Sequence, residues 1–354
     1  MAFHLGCMRA LNDLGLLERV GVLSCVSGGS VIGALYAYSP EQSFEEFDAR
    51  ICEHLRSGFQ RSIALELMKP KNLVPTVLNA SATKFQSFLS RWGLSERSVH
   101  RYPSRTDVFA TILDREVYSG VKMGAPRRND VEVVLGACDL RTGSAFRFGN
   151  EHSGCGRFGK LTVNDIDVGF AVAASAAFPV FLPPLDRTWE FSKNCKESSQ
   201  RVVLTDGGVY DNSGFQVLEP GRDPKYSLHS FPCEYIIACN ASHGQEQGDD
   251  LPLAFLPRTK KSFSVVHRRV QDMLIHHLHH LREGGTLKGF ALPYLGQQDS
   301  ALPWKPSDLI SRESVISYPT NFSAMTDEWI EKLSARGEVL TRLLVPTYLR
   351  ELLA

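Results

Sequence analysis

Along this chain the spacing of apolar residues changes repeatedly, and each change predicts an element. Phe3, Leu5, Met8, Leu11 and Leu14 recur near a helical period, so residues 2–14 read as a helix that Gly15 stops. The apolar run from Val20 to Val26 reads as a strand, and a small-residue helical run follows at once, to about Ser39-Pro40. Residues 41–100 are mostly helical in pattern, with breaks at Lys69-Pro70 and near Val74-Pro75. Their apolar positions (Ile63, Leu65, Leu67, Met68, Leu73, Val77, Leu78) suit either a cap over a site or a cover for one sheet face. β patterns fill 107–148, above all Val108–Val117 and Val131–Cys138. Residues 149–165 look like a Gly-rich loop and 186–200 like a polar surface insertion. A strand is expected at 201–206 and another at Tyr235–Cys239, with a helical part over 255–354. No repeat interrupts this alternation, which predicts one α/β domain over 1–354, with 41–105 as a helical region inside it.

Candidate chemistry sits where strands end. The first strand runs into Cys25-Val26-Ser27-Gly28-Gly29-Ser30. A strand that turns sharply at a serine and leaves as a helix exposes the hydroxyl, which is the geometry of a nucleophile elbow. Such a turn crowds the backbone, and Gly28 and Gly29 are the small residues expected to relieve it. The helix N-terminus behind Ser27 would aim N–H groups at a developing oxyanion. Cys25 stands where the G-x-S-x-G pattern has its first glycine, so a plain glycine-rich turn is the competing reading. A second strand, Arg201 to Thr205, runs into Asp206-Gly207-Gly208. An aspartate there can take a serine's proton, or it can simply close an Asx-turn. In open α/β sheets ligands collect at the carboxyl ends of strands, where Ser27 and Asp206 would both lie.

Together the two segments resemble the patatin-like phospholipase family. Between them, Ala137-Cys138-Asp139-Leu140-Arg141-Thr142-Gly143 with Phe146 is similar to the family's middle strand and turn. Ala173-Ala174-Ser175-Ala176-Ala177-Phe178-Pro179 resembles its small-residue helix ending in proline. The resemblance implies a three-layer α/β/α sandwich with a mainly parallel central sheet. It also implies a Ser-Asp dyad acting on lipid acyl esters through an acyl-enzyme, with Ser27 as nucleophile and Asp206 as base. Gly28, Gly29, Gly207 and Gly208 would support the turns and the oxyanion. Ala2 to Leu11 looks like the helix that, in this family, follows a strand and a Gly-Gly-Gly-x-Arg/Lys-Gly loop supplying oxyanion donors. With Met1 at its start, the chain is expected to be an N-terminally shortened form, nearly inactive and prone to aggregate, with Gly28 as the remaining donor. A catalytically impaired relative that only binds lipid or protein is the matching alternative.

Composition narrows the partners. Lys+Arg and Asp+Glu are equal at 39 each, so no overall field recruits nucleic acid or anionic membrane. Hydrophobic residues at 43% and charged residues at 22% are ordinary globular values. No apolar run approaches the ~20 residues of a spanning helix, and the start lacks a secretory pattern. Eight cysteines lie scattered without C-x-x-C spacing, which argues against a zinc site or a disulfide framework and for a reducing cytoplasm. No cofactor is implied. Lipid contact, peripheral on a membrane, is expected from apolar surface in 63–78.

Other residues compete for roles. His243 follows the Tyr235–Cys239 strand, so Ser27, Asp206 and His243 keep the Ser…Asp…His order of α/β-hydrolases, with His243 as base in that alternative. His276 to His280 lie on a helix whose apolar stripe is Val266, Val270, Met273, Leu274, Leu278 and Leu281, so an amphipathic helix is expected there rather than metal. Arg258, Lys260, Lys261, Arg268 and Arg269 form a basic cluster that reads as a solvated face, with contact to anionic headgroups as the alternative. Asp139 and Arg141 suit a cap or salt bridge, Asp211-Asn212 a support for the turn, and Cys25 a small core position.

Overall fold

The computed structural model describes every residue except 42, 71, 73–103, 129, 180, 226, 245–247, 249–251, 320 and 354, and of Leu256 and Lys260 it describes the backbone alone. The first elements follow the expected pattern: α1 (Ala2–Asp13), β1 (Val22–Val26) and α2 (Gly28–Tyr38). Two helices, α3 (Phe44–Ser57) and α4 (Gln60–Met68), come next. In α4, Ile63 and Leu67 pack on the core while Leu65 and Met68 face outward. The rest of the expected cap, from 73 onward, lies outside the described residues.

The run Val108–Val117 is helical, not a strand. It forms α5 (Arg105–Ile112) and a π-type turn, Leu113–Tyr118. A capping box starts it: the Ser104 N–H donates to Asp107 Oδ2 at 2.6 Å and the Asp107 N–H to Ser104 Oγ at 3.3 Å. Val108, Phe109, Ile112, Leu113 and Val117 are buried while Thr111, Arg115 and Glu116 are exposed, and it is the β-branched and aromatic residues on the buried face that make the run resemble a strand.

Among the described residues seven strands form the main sheet: β1, β2 (Glu132–Asp139), β3 (Ser144–Gly149), β4 (Ser153–Cys155), β5 (Gly159–Leu161), β6 (Leu185–Lys193) and β7 (Lys196–Asp206). The α/β class holds, but the mainly parallel sheet does not. Only β1 and β2 run parallel, and every other pairing in this sheet is antiparallel. Because β7 returns to pair with β2, the strands from β2 to β7 close on themselves like a barrel. Short connections account for the antiparallel pairs β2–β3, β3–β4, β4–β5 and β6–β7, since parallel neighbours need a longer crossover. The expected insertion at 186–200 is one such hairpin: Asn194 and Cys195, at φ 52° and 62°, make the turn between β6 and β7. The expected Gly-rich loop holds β4 and β5.

Phe146 and Phe148 of β3 meet Trp189 of β6 and Phe170 of α6 (Val168–Ser175), which fixes that small-residue helix against the sheet. The strand at 235–239 is shorter than expected and sits elsewhere. β8 (Tyr235–Ile237) pairs in parallel with β9 (Gly289–Ala291) in a separate two-stranded sheet. A second apolar cluster, including Phe215, Ile236, Leu278 and Phe290, packs beside it. Two long helices complete the chain, α7 (Phe255–Glu283) and α8 (Asp327–Tyr348). Among the described residues no helix is long and apolar enough to cross a membrane.

Candidate active site

Strand β2 brings Ser27 and Asp206 together. Val26, the last residue of β1, lies opposite Gly136 in parallel register. Asp206, the last residue of β7, lies opposite Ala137 in antiparallel register. The two strands therefore dock end to end along one edge of β2, with their carboxyl ends facing each other. Both residues were expected at the carboxyl ends of strands, and those two ends meet head-on. Ser27 Oγ donates to Asp206 Oδ2 at 2.8 Å across 179 sequence positions.

The elbow is strained and held. Ser27 has φ 54° and ψ −129°, a conformation that costs a non-glycine residue on the order of 1–3 kcal/mol. Its N–H donates to Ser175 Oγ at 3.0 Å, and its carbonyl accepts the Ser30 N–H at 2.9 Å. Ser175 Oγ also bonds Ser30 Oγ at 2.7 Å. Ser175 is fully buried at the end of α6 and was not singled out from the sequence. Its signal was the lone hydroxyl in Ala173-Ala174-Ser175-Ala176-Ala177, since a buried polar atom needs a partner.

Crowding falls elsewhere than expected. A Cβ on Gly28 would meet no atom within 4 Å, and one on Gly29 only His4 Nε2 at 3.9 Å. The tight places are Gly33, where a Cβ would lie 2.3 Å from Cys25 Sγ, and Gly207, where it would lie 2.2 Å from the Gly136 carbonyl oxygen. Gly33 seats α2 on β1, and Gly207 lets the turn after Asp206 sit against β2.

Burial dominates the electrostatics. It pushes the Asp206 carboxyl up to about 6, against the opposing pull of hydrogen bonds from Ser27 and the Gly208 N–H. That N–H donates to Oδ1 at 2.8 Å, so both carboxyl oxygens are oriented. Gly28 and Gly29 open α2, and their N–H groups have no intrahelical acceptor. Asp211 accepts the N–H groups of Ser213, Gly214 and Gln216 at 3.1, 3.0 and 3.3 Å, which braces the turn as expected. The Ser24 hydroxyl ties β1 to that brace by donating to the Gly214 carbonyl. Burial pushes the Cys25 thiol up to about 12, in keeping with a packing role.

The remaining candidates are dispersed. Asp139 accepts the Arg141 and Val203 N–H groups and the Thr142 hydroxyl, so it caps the β2 turn. His243 Nε2 donates to the Tyr318 carbonyl at 3.2 Å, and among the described residues no histidine nitrogen bonds Ser27 or Asp206. His277 Nε2 sits 2.6 Å from Glu219 Oε1, and His279 meets the Phe290 ring edge-on. A different histidine approaches the site: His267 Nε2 comes within 3.7 Å of where a Gly208 Cβ would stand. Burial lowers its pKa, which favours a neutral imidazole beside the Asp206 turn. No local motif marks it, because only the path of α7 brings it there.

The helix α7 also departs from its expected stripe. Leu274, Leu278 and Leu281 turn inward onto the second cluster, but Val266 and Met273 face solvent. The stripe is rotated away from the buried face, so one of its edges is covered and the other is not.

The family model described as patatin-like phospholipase matches residues 1–218, which include Ser27, Ser175 and Asp206. No curated protein sequence matches the chain. Among solved structures, VipD from Legionella pneumophila aligns with a TM-score of 0.40 at 14% identity, over 98% of this chain and 65% of that one. This chain thus spans just under two thirds of that protein's length, and a likeness so remote adds nothing to the argument.

Proposed function

Because the chain belongs to the patatin-like phospholipase family, we propose that it is a serine hydrolase of lipid acyl esters working through a Ser27–Asp206 dyad. The observation that carries this reading is the 2.8 Å hydrogen bond from Ser27 Oγ to Asp206 Oδ2 at the end of a strained elbow. Ser27 Oγ attacks the acyl carbonyl carbon while its proton passes to Asp206. The Gly28 N–H and the α2 terminus stabilise the oxyanion, and the alcohol leaves as the carbonyl re-forms, taking the proton from Asp206. Water then attacks the acyl-enzyme, Asp206 accepts its proton, and the acid departs as the proton returns to Ser27. An ordinary aspartate is a weak base for this task; a carboxyl raised to about 6 is better matched yet still ionised at neutral pH.

The test uses a fluorophosphonate probe with mass-spectrometric site mapping. Ser27 should be labelled in the parent protein and equally in His243→Ala, and labelling should vanish in Asp206→Ala. Modification of any other serine, or dependence on His243, would replace the dyad with a different site.

A further inference from the structure

The outward face of α7 is built for a partner. Phe255, Ser262, Val266, Arg269 and Met273 recur at helical spacing along it, and Phe255, Val266 and Met273 are 71%, 63% and 61% exposed. Val265, at 58%, flanks them, and Leu253 stands just ahead of the helix at 82%. The opposite face is polar over the same turns. Ser264 and His267 are half-buried there, and Gln271, buried, donates to Ser242 Oγ at 3.2 Å. Amphipathic surface helices normally turn their apolar side to the core. Over its first half α7 does the reverse.

Charge identifies what would cover such a face. Residues 251–271 contain no aspartate or glutamate, whereas Arg258, Lys260, Lys261, Arg268 and Arg269 all fall within them, with Arg258 and Arg269 exposed. Apolar side chains set among basic ones, with the acid beside Met273, Asp272, paired to Arg268 at 3.7 Å, fit the interface of an anionic bilayer, where apolar burial and headgroup attraction add. The inner side of the same turns touches the candidate site. Phe263 meets Phe178 with ring centroids 6.5 Å apart, and His267 approaches the Gly208 turn.

We infer that the first half of α7 docks this protein on anionic lipid surfaces through Phe255, Val266 and Met273, with Arg258 and Arg269 engaging phosphate headgroups. This departs from the expectation that residues 63–78 carry lipid contact and takes up the alternative reading of the basic run. It rests on the lipid-hydrolase reading for its purpose, not for its measurement.

Flotation of the Ser27→Ala protein with vesicles separates the two. That protein should bind mixed phosphatidylcholine–phosphatidylglycerol vesicles more tightly than phosphatidylcholine alone. The triple variant Phe255→Ser/Val266→Ser/Met273→Ser should lose about tenfold or more in binding to both. Arg258→Glu/Arg269→Glu should lose a similar factor on the anionic vesicles alone, and more at low salt than at high. In the Ser27-intact protein both variants should keep their turnover on a soluble p-nitrophenyl ester while losing it on vesicle lipid. Unchanged flotation of both variants would overturn the docking face. So would light scattering that finds a dimer dissociated by the triple variant, since a second copy would then be the occupant. Absence of soluble-ester turnover in the parent protein would instead sink the hydrolase reading and leave the binding result standing.

Discussion

Two helices beside the Ser27–Asp206 pair, α2 and α7, are opposite in construction. α2 is buried from Ser30 to Tyr38, so sheet and neighbouring helices hold it on every side. α7 comes near the pair through His267, beside the Gly208 turn, and Phe263, which meets Phe178, and it presents apolar residues to solvent. Atomic placement of a reacting hydroxyl requires packing that over-determines it, and α2 has that. A surface that must meet a deformable partner needs area and charge rather than fixed geometry, and α7 has those. Changes at the buried positions of α2 should therefore alter chemistry and stability together, whereas changes on the outward face of α7 should alter neither for a soluble substrate.

The sharpest test on the buried side is Asp206→Asn. It should reduce turnover by on the order of 10³-fold or more, since a base is replaced by an isostere that cannot accept the proton. It should also stabilise the protein. Folding raises this carboxyl from 3.8 to about 6, so the folded state binds the proton more tightly than the unfolded one. Stability from this group is present in full below about pH 4, falls as pH rises, and is gone above about 6. At neutral pH the ionised group thus costs on the order of 2–3 kcal/mol, which asparagine removes. Melting temperature should rise by several degrees near pH 7.5 and hardly change near pH 4. Turnover of the parent protein should climb with pH through about 6, as the base ionises. A lowered melting temperature for Asp206→Asn at neutral pH would count against burial as the cause of the shift.

The next effect separates crowded from open glycines. Gly207→Ala places a methyl against the Gly136 carbonyl and should cost about 1–3 kcal/mol along with most of the turnover. Gly28→Ala meets no neighbouring atom and should leave the melting temperature unchanged. If the two variants melt alike, β2 does not set the dyad spacing. A smaller effect is expected at Ser175→Ala, which removes the acceptor of the Ser27 N–H. Turnover should fall about tenfold through kcat with KM unchanged, and stability by about 1–3 kcal/mol. An equal loss confined to KM would mean that Ser175 acts on substrate rather than on the elbow.

How far the sequence could be read depended on whether the signal was local. The strand-turn-helix around Ser27 and the turn after Asp206 were legible because their glycines, capping side chains and apolar runs lie within a few residues of the chemistry. Strand direction was not legible, because Arg201–Asp206 looks the same from either side and only the Asn194-Cys195 turn commits it to an antiparallel partner. The helix at Arg105–Ile112 was hidden by the strand-forming residue types on its buried face (Val108, Phe109, Ile112), although Ser104 and Asp107 carried its cap in plain view. His267 and Ser175 were out of reach for another reason. Their roles depend on which distant backbone they meet.

The head-on docking of β1 and β7 has a consequence in time as well as in space. Residues 27 and 206 face each other only when both have found the same two positions of β2, one from upstream and one from far downstream. Contacts so distant in sequence close slowly, because the intervening chain must be ordered first. On the proposed reading the site is therefore assembled late, and a partly folded chain, with its helices formed and its apolar surfaces still open, would not hydrolyse the lipid it meets.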